Sequence, residues 1–209
     1  MAHVTAAERR PQLIAAAIEL MAREGVTAGS TRAIAAELGV AQATVHYTFG
    51  TKADLYRAVL EFLTEDLLAG VQRSVARATS LEEALRATAD AFLLDLDGRP
   101  ELNLLWFELI AFSLRSPELR EVVERYHEGI ADIATEALTQ TERRGRRAFA
   151  LPAADLARFL LSGLDGLGLH LLVRGEGPAD DSTRRALDLL VTATVALAYG
   201  GAGAPGGEG

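Results

Sequence analysis

The side chains best suited to chemistry in this chain lie close together, between residues 42 and 48. They are small, hydroxylated, or flat and polar: Gln42, Ala43, Thr44, His46, Tyr47 and Thr48. A helix that only faces solvent usually carries charged residues, whereas amide, hydroxyl and imidazole groups can hydrogen-bond to the edges of base pairs. A short helix with such a face suits the major groove of DNA. The stretch therefore predicts a DNA-reading surface.

Residues 31–52 predict the elements that hold this surface, namely two short helices joined by a tight turn. Ser30 or Thr31 can cap the first helix, and Gly39 ends it because a residue just past a helix often needs a positive φ. The spacing of the apolar residues is helical, which predicts that they face one core. These inward residues are Ile34, Ala35 and Leu38 in the first helix, and Val45 and Phe49 in the second.

The rest of the chain predicts further helices, with no alternating strand pattern and no repeat. We therefore expect an all-α fold of about nine helices. A three-helix amino-terminal domain with a helix-turn-helix would occupy residues 1–50, and a larger helical domain would occupy residues 51–199. The second domain would begin with a connector helix at residues 51–74. Residues 200–209 are rich in glycine, which predicts a disordered tail.

Composition argues against several classes of site. The chain has no cysteine, so disulfides, thiolate metal ligands and cysteine nucleophiles are excluded. The four histidines, at positions 3, 46, 127 and 170, are far apart and lack metal-ligand spacing. We find no nucleophile elbow, no P-loop and no dinucleotide fingerprint, and we expect neither a metal nor a cofactor. A small all-α enzyme is therefore only a distant alternative.

The amino terminus lacks the apolar stretch of a signal peptide, because Glu8, Arg9 and Arg10 interrupt it. The most apolar segment, residues 156–173, contains Arg158, Asp165 and His170, which argues against a membrane span. These features predict a cytoplasmic protein without a membrane partner.

The formal net charge of −8 is unevenly distributed. Residues 1–62 carry six basic and six acidic side chains, which leaves 15 basic and 23 acidic side chains in the remainder. The amino-terminal part is therefore relatively positive, which permits binding to a polyanion but does not establish it.

The stretch TRAIAAELGVAQATVHYTFGTKADLYRAVL resembles the DNA-binding domain of the TetR family of bacterial transcription regulators. The resemblance covers about residues 9–60, and the carboxyl-terminal part resembles the family only in layout. It implies a ligand-responsive regulator, in most cases a repressor, that binds a palindromic operator as a homodimer and is released by a small hydrophobic effector. A constitutive or protein-partnered regulator without a ligand is the alternative.

The resemblance also implies individual DNA contacts. Thr31 and Arg32 would touch phosphates at a helix N-terminus. Gln42 and Ala43 would face base edges, the first through a donor and an acceptor and the second through a thymine methyl group. The side chains expected to hold backbone or base positions are Thr44, Tyr47, Thr48 and Lys52. His46 and Thr48 depart from the tyrosine or histidine common in the family, and His46 could instead pack on the domain's own surface.

The resemblance implies a dimer joined by the last two helices of each subunit, in a four-helix interface. Leucines repeat at intervals of three or four in both helices, which supports this independently. The candidate interface residues are Leu160, Leu164, Leu167, Leu171, Leu187, Leu190, Thr194 and Leu197.

A small apolar ligand could bind in the core of the carboxyl-terminal domain, surrounded by aromatic and aliphatic side chains with two polar candidates. These residues are Phe92, Leu96, Trp106, Phe107, Ile110, Tyr126, Asp165 and His170. Aromatic residues at helical spacing also fill cores, so each of them has this simpler interpretation.

Overall fold

The computed structural model describes residues 6–175 and 180–201, and within them all regular secondary structure is helical, with no strand. The all-α prediction is confirmed. The predicted tail lies, beyond Gly201, outside the described residues. The helices are α1 (Ala6–Glu24), α2 (Thr31–Glu37), α3 (Gln42–Phe49), α4 (Lys52–Arg77), α5 (Leu81–Gly98), α6 (Pro100–Ser113), α7 (Pro117–Gly145), α8 (Ala153–Arg174) and α9 (Asp181–Tyr199), with a short 3-10 helix at Val26–Ala28.

The first compact unit comprises Met1–Asp66 and Arg99–Tyr126. Its core combines apolar residues of α1, α2 and α3 with the first part of α4, and α6 packs against α1 and the 3-10 helix. The fully buried side chains include Leu13, Ile34, Val45, Val59 and Leu105. The unit thus extends beyond residues 1–50, and a functional boundary at residue 50 stays a prediction.

Local hydrogen bonds define where the helices of this unit begin. The Ser30 hydroxyl accepts from the backbone N–H of Ala33 at 3.2 Å, which caps α2. The Thr51 hydroxyl donates to the Asp54 carboxylate at 2.6 Å and accepts from the Asp54 backbone N–H at 3.1 Å, which caps α4. This bond from Thr51 also lowers the pKa of Asp54, and the Arg57 guanidinium acts in the same direction.

The second compact unit comprises Leu67–Gly98 and His127–Gly209. Helices α5, α8 and α9 pack on one another around a core that also receives Leu138 of α7. Gly163 allows α8 and α9 to approach closely, since a Cβ atom there would lie 2.5 Å from Leu190 Cδ1. Among the described residues, α8 is the one helix long and apolar enough to cross a membrane, a test that core helices of soluble proteins also pass.

Candidate nucleic-acid interface

Helix α3 buries two anchors and exposes the side chains between them. Val45 is fully buried and Phe49 nearly so, while Tyr47 is 88% exposed. Gln42, Ala43 and His46 are also exposed, and Thr44 and Thr48 are half-buried. The helix therefore presents polar groups and one large aromatic ring on its free face, as the sequence predicts.

The turn before α3 depends on one glycine. Gly39 has φ +62°, a backbone conformation that glycine adopts without steric cost. The space around it is open, so its requirement is conformational and not one of packing. The next residue donates its backbone N–H to the Ala35 carbonyl at 2.9 Å, which closes the turn and directs the chain into α3.

Three polar side chains link α2 to α3 on this surface. The Gln42 amide donates to the Thr31 hydroxyl at 3.1 Å. The His46 Nε2 atom lies 3.4 Å from the Thr31 hydroxyl oxygen and 3.5 Å from Gln42 Nε2. His46 is thus both exposed and engaged with its own domain. The arrangement limits the freedom of Gln42, the residue expected to read a base edge.

The other predicted contacts are distributed around the same surface. Arg32 is exposed near the start of α2. The Thr48 hydroxyl donates to the Thr44 carbonyl at 2.8 Å within α3, so its proton is committed and only its lone pairs face outward. Arg10 of α1 lies over the Phe49 ring, with its guanidinium carbon 5.7 Å from the centroid. An exposed cation therefore covers the end of α3.

The Lys52 ammonium group packs over two aromatic rings, contacts that the sequence did not indicate. Its Nζ atom lies 5.2 Å from the ring centroid of Tyr56 and 5.5 Å from that of Phe112. Tyr56 could have been found from its position one helical turn along α4. Phe112 belongs to α6, and no local sequence signal connects it to Lys52.

The candidate effector residues are divided between the two units. Trp106, Phe107, Ile110 and Tyr126 belong to the first unit, where the rings of Trp106 and Tyr126 meet edge to face at 5.8 Å. Phe92, Leu96, Asp165 and His170 belong to the second. Burial raises the pKa of Asp165, and the electrostatic influence of His127 lowers it by a smaller amount. Burial also raises the pKa of Tyr126 to about 12, with Glu61 and Glu65 acting in the same direction.

The second unit has a surface cleft of about 390 Å³ between α8 and α9. Of the eight candidate effector residues, only His170 lines it. The other lining residues are Leu167, Leu171, Arg174, Ser182, Thr183 and Ala186. Among the described residues, no group of three or more His, Asp or Glu side chains is arranged to hold a metal ion.

The structure places most of the predicted interface residues inside the subunit. Five of them are buried in its own core, because α8 and α9 pack on each other and on α5: Leu160, Leu164, Leu171, Leu187 and Thr194. Leu167, Leu190 and Leu197 are half-buried. The side chains of these five residues are covered by the same chain, and their assignment to a contact between subunits stays a prediction.

Comparison with known proteins agrees with the geometry of α2 and α3. Residues 13–59 match the model of the tetR family of bacterial regulatory proteins, and residues 81–196 match that of the carboxyl-terminal domain of BetI-type transcriptional repressors. The chain belongs to the TetR family. The resemblance found in residues 9–60 is confirmed and extends to the carboxyl-terminal unit, where the sequence showed only a similar layout.

TetR-family relatives match nearly the whole chain. The nicotine-responsive repressor HdnoR of Paenarthrobacter nicotinovorans is 28% identical over 191 residues, which cover 91% of this chain and 95% of HdnoR. The regulator BetI of Ectopseudomonas mendocina is 29% identical over 183 residues, which cover 85% and 88% of the two chains. These relatives are transcriptional regulators.

Solved structures show the same architecture. A transcriptional regulator from Rhodococcus sp. Rha1 superposes with a TM-score of 0.72 and 25% identity, covering 89% of this chain and 95% of that one.

Proposed function

We propose that this TetR-family protein is a repressor that binds a palindromic operator as a homodimer. The observation that carries the proposal is the free face of α3, where Gln42 is held by Thr31 and Tyr47 stands 88% exposed. A bidentate amide contact to one base contributes ~1–3 kcal/mol of discrimination. One α3 helix discriminates too few base pairs to specify an operator. Two subunits must therefore bind together.

Two copies related by a twofold axis would place their α3 helices in successive major grooves, ~34–36 Å apart. The test is selection of bound duplexes from a random pool by the full-length protein. We expect enrichment of an inverted repeat whose half-sites are about one helical turn apart. Enrichment of a single unrepeated site, or of none, would contradict the proposal.

The exposed stripes of α8 and α9 are the surface that we propose for the dimer. Apolar side chains of α8 recur at helical spacing on its free face, and α9 adds a further leucine and two small residues. The exposed stripe comprises Phe159, Gly166, Leu169, Val173, Leu189, Thr192 and Ala196. Val173 is 76% exposed and Leu189 64% exposed, fractions that favour a covering partner for such large apolar groups.

Gly166 supports this assignment, because a Cβ atom there would meet, apart from the backbone of its own helix, no atom of the described residues within 4 Å. Glycine in a helix costs about 1 kcal/mol of stability relative to alanine. Close packing of a helix from a second copy against Gly166 would explain why a glycine occupies this position. The half-buried Leu167, Leu190 and Leu197 would lie at the edges of the contact.

Leu169→Glu combined with Leu189→Glu tests the interface by solution mass. We expect monomers, because the variant places charges in an apolar contact without entering the subunit core. Leu94→Glu is the matched control, since Leu94 is 74% exposed on α5 and lies outside the stripe. A dimer that survives the double substitution would rule out this surface.

We further propose that a small hydrophobic effector releases the protein from DNA. HdnoR, by its name, responds to nicotine, and the edge-to-face pair of Trp106 and Tyr126 provides aromatic surface of the kind that lines ligand sites. Moving occupancy from nearly complete to nearly absent requires the effector to favour the non-binding state by ~5.5 kcal/mol.

Thermal melting with a panel of hydrophobic compounds tests this step, since a ligand of the folded state raises the melting temperature. Trp106 is the single tryptophan, so its fluorescence reports binding nearby. A compound that raises the melting temperature should also lower operator affinity. If no compound does so, the protein is better described as a constitutive or protein-partnered regulator. We place its action in the cytoplasm, where operator DNA is found.

A further inference from the structure

Lys52 begins α4, and its ammonium group lies over two aromatic rings that meet edge to face, with centroids 6.1 Å apart. Its distances to the Tyr56 and Phe112 centroids are 5.2 and 5.5 Å, both within the range of an attractive cation–π contact. Tyr56 lies one turn along α4, whereas Phe112 lies near the end of α6. Aromatic side chains of α4 and α6, two helices distant in sequence, therefore both contact the Lys52 ammonium group.

The Tyr56 ring is held in place by a hydrogen bond to the segment between α1 and α2. Tyr56 is 2% exposed, and its hydroxyl donates to the Val26 carbonyl at 3.1 Å. The Val26 backbone N–H in turn donates to Glu108 Oε2 at 3.2 Å. Glu108 lies one turn before Phe112 on α6. Helix α6 therefore makes two contacts, one from Glu108 to Val26 and one from Phe112 to Tyr56 and Lys52.

We infer that Phe112 is a positioning residue for DNA binding, which holds the Lys52 ammonium where it can meet a phosphate. The inference rests on the proposed DNA-binding function. A ring face attracts a cation through its quadrupole and occupies none of its N–H donors. Lys52 is exposed, so those donors are available to a phosphate while the rings restrict the flexible stem.

This contact gives α6 a direct effect on DNA affinity. A shift of Phe112 relative to α4 would release the Lys52 ammonium from its place, without any movement of α3. The cation is the single lysine among 21 basic residues, and a guanidinium would present a planar fork instead of a compact charge.

A double-mutant cycle on a selected duplex tests the inference, with wild type, Phe112→Leu, Lys52→Gln and the combined variant. We expect Phe112→Leu to weaken binding by about 5- to 30-fold, because an exposed cation–π contact contributes about 2- to 5-fold in each of two subunits. In the Lys52→Gln background the same change should alter affinity by less than about 2-fold.

Two further variants separate positioning from folding. Phe112→Tyr keeps the ring and should retain wild-type affinity. Phe62→Leu is the matched control, since it removes an exposed ring of α4 that is not one of the two over Lys52, and it should change nothing. If Phe112→Leu melts too early to assay, Phe112→Met, which keeps an apolar side chain without a ring, takes its place with the same expected loss.

Equal losses with and without Lys52 would overturn the inference, because Phe112 would then act through the fold. Tighter binding by Phe112→Leu would also overturn it, since the rings would then be holding the cation away from DNA. If the wild-type protein enriches no duplex, the proposed function fails and takes this inference with it. Enrichment by the wild type combined with an unaffected Phe112→Leu contradicts the inference alone.

Discussion

Helices α3 and α8 both carry apolar residues at helical spacing, yet the two patterns have different meanings. In α3 the buried Val45 and Phe49 leave a polar face, and that face is the one exposed. In α8 the spaced leucines, such as Leu164, fill the subunit core, while a second apolar stripe faces outward. A polar helix face predicts that this face is exposed. When a helix is apolar on two sides, its sequence does not show which side packs in the subunit core and which side meets a partner.

The largest expected effect is a loss of stability that differs between the buried and the exposed side of α8. Leu164→Glu places a carboxylate in the core of the second unit, where Leu164 is 6% exposed. We expect a loss of stability of about 3–5 kcal/mol, enough to abolish most of the cooperative melting transition seen by circular dichroism. Leu169→Glu should stay folded in the same assay. Comparable melting of the two variants would show that the sides of α8 have been assigned wrongly.

Tyr47→Ala examines the exposed side of α3. We expect operator affinity to fall at least about 30-fold, because a hydrogen bond to a charged phosphate, contributing ~1.5–3 kcal/mol, is lost in each of two subunits. Solution mass and melting temperature should match the wild type, since Tyr47 is 88% exposed. Retained binding to the selected duplex at moderate salt would refute this role.

A smaller effect is expected at Tyr56, below the reading surface. Tyr56→Phe removes the hydroxyl that donates to the Val26 carbonyl, and the loss should be about 1–2 kcal/mol in a denaturant titration. Burial raises the pKa of Tyr56 to about 12, so the folded state disfavours ionisation and wild-type stability should fall above about pH 10. The difference between the proteins should therefore narrow at high pH, and a constant difference would exclude this account.

The smallest effect concerns Asp165 of α8. Burial raises its pKa, so the folded state binds a proton more tightly than the unfolded chain and stability declines as the pH rises above about 4. Asp165→Asn carries no charge and should melt slightly higher than the wild type at neutral pH, with the gain vanishing below about pH 4. A lower melting temperature at neutral pH would indicate that the carboxylate is compensated by a partner such as His127.

The sequence predicted those features that depend on local interactions. Gly39 with its positive φ and the Ser30 cap each involve residues within about one helical turn. The apposition of Phe112 and Lys52 escaped prediction, because it depends on how α6 packs and not on spacing along the chain.

The effector residues were the least predictable part. Their aromatic character is shared by core residues, and the eight candidates fall into two compact units. Sequence spacing cannot distinguish an aromatic ring that fills a core from one that lines a cavity, since both are buried on the same face of a helix.

The central claim, that α3 of each subunit reads the operator, is tested most directly by repeating the random-duplex selection with Gln42→Ala. We predict that this variant loses its preference at the same one or two base pairs in each half-site, while the spacing of the half-sites is preserved, because one bidentate amide per subunit has been removed. An unchanged sequence preference would contradict the claim that Gln42 on α3 reads DNA.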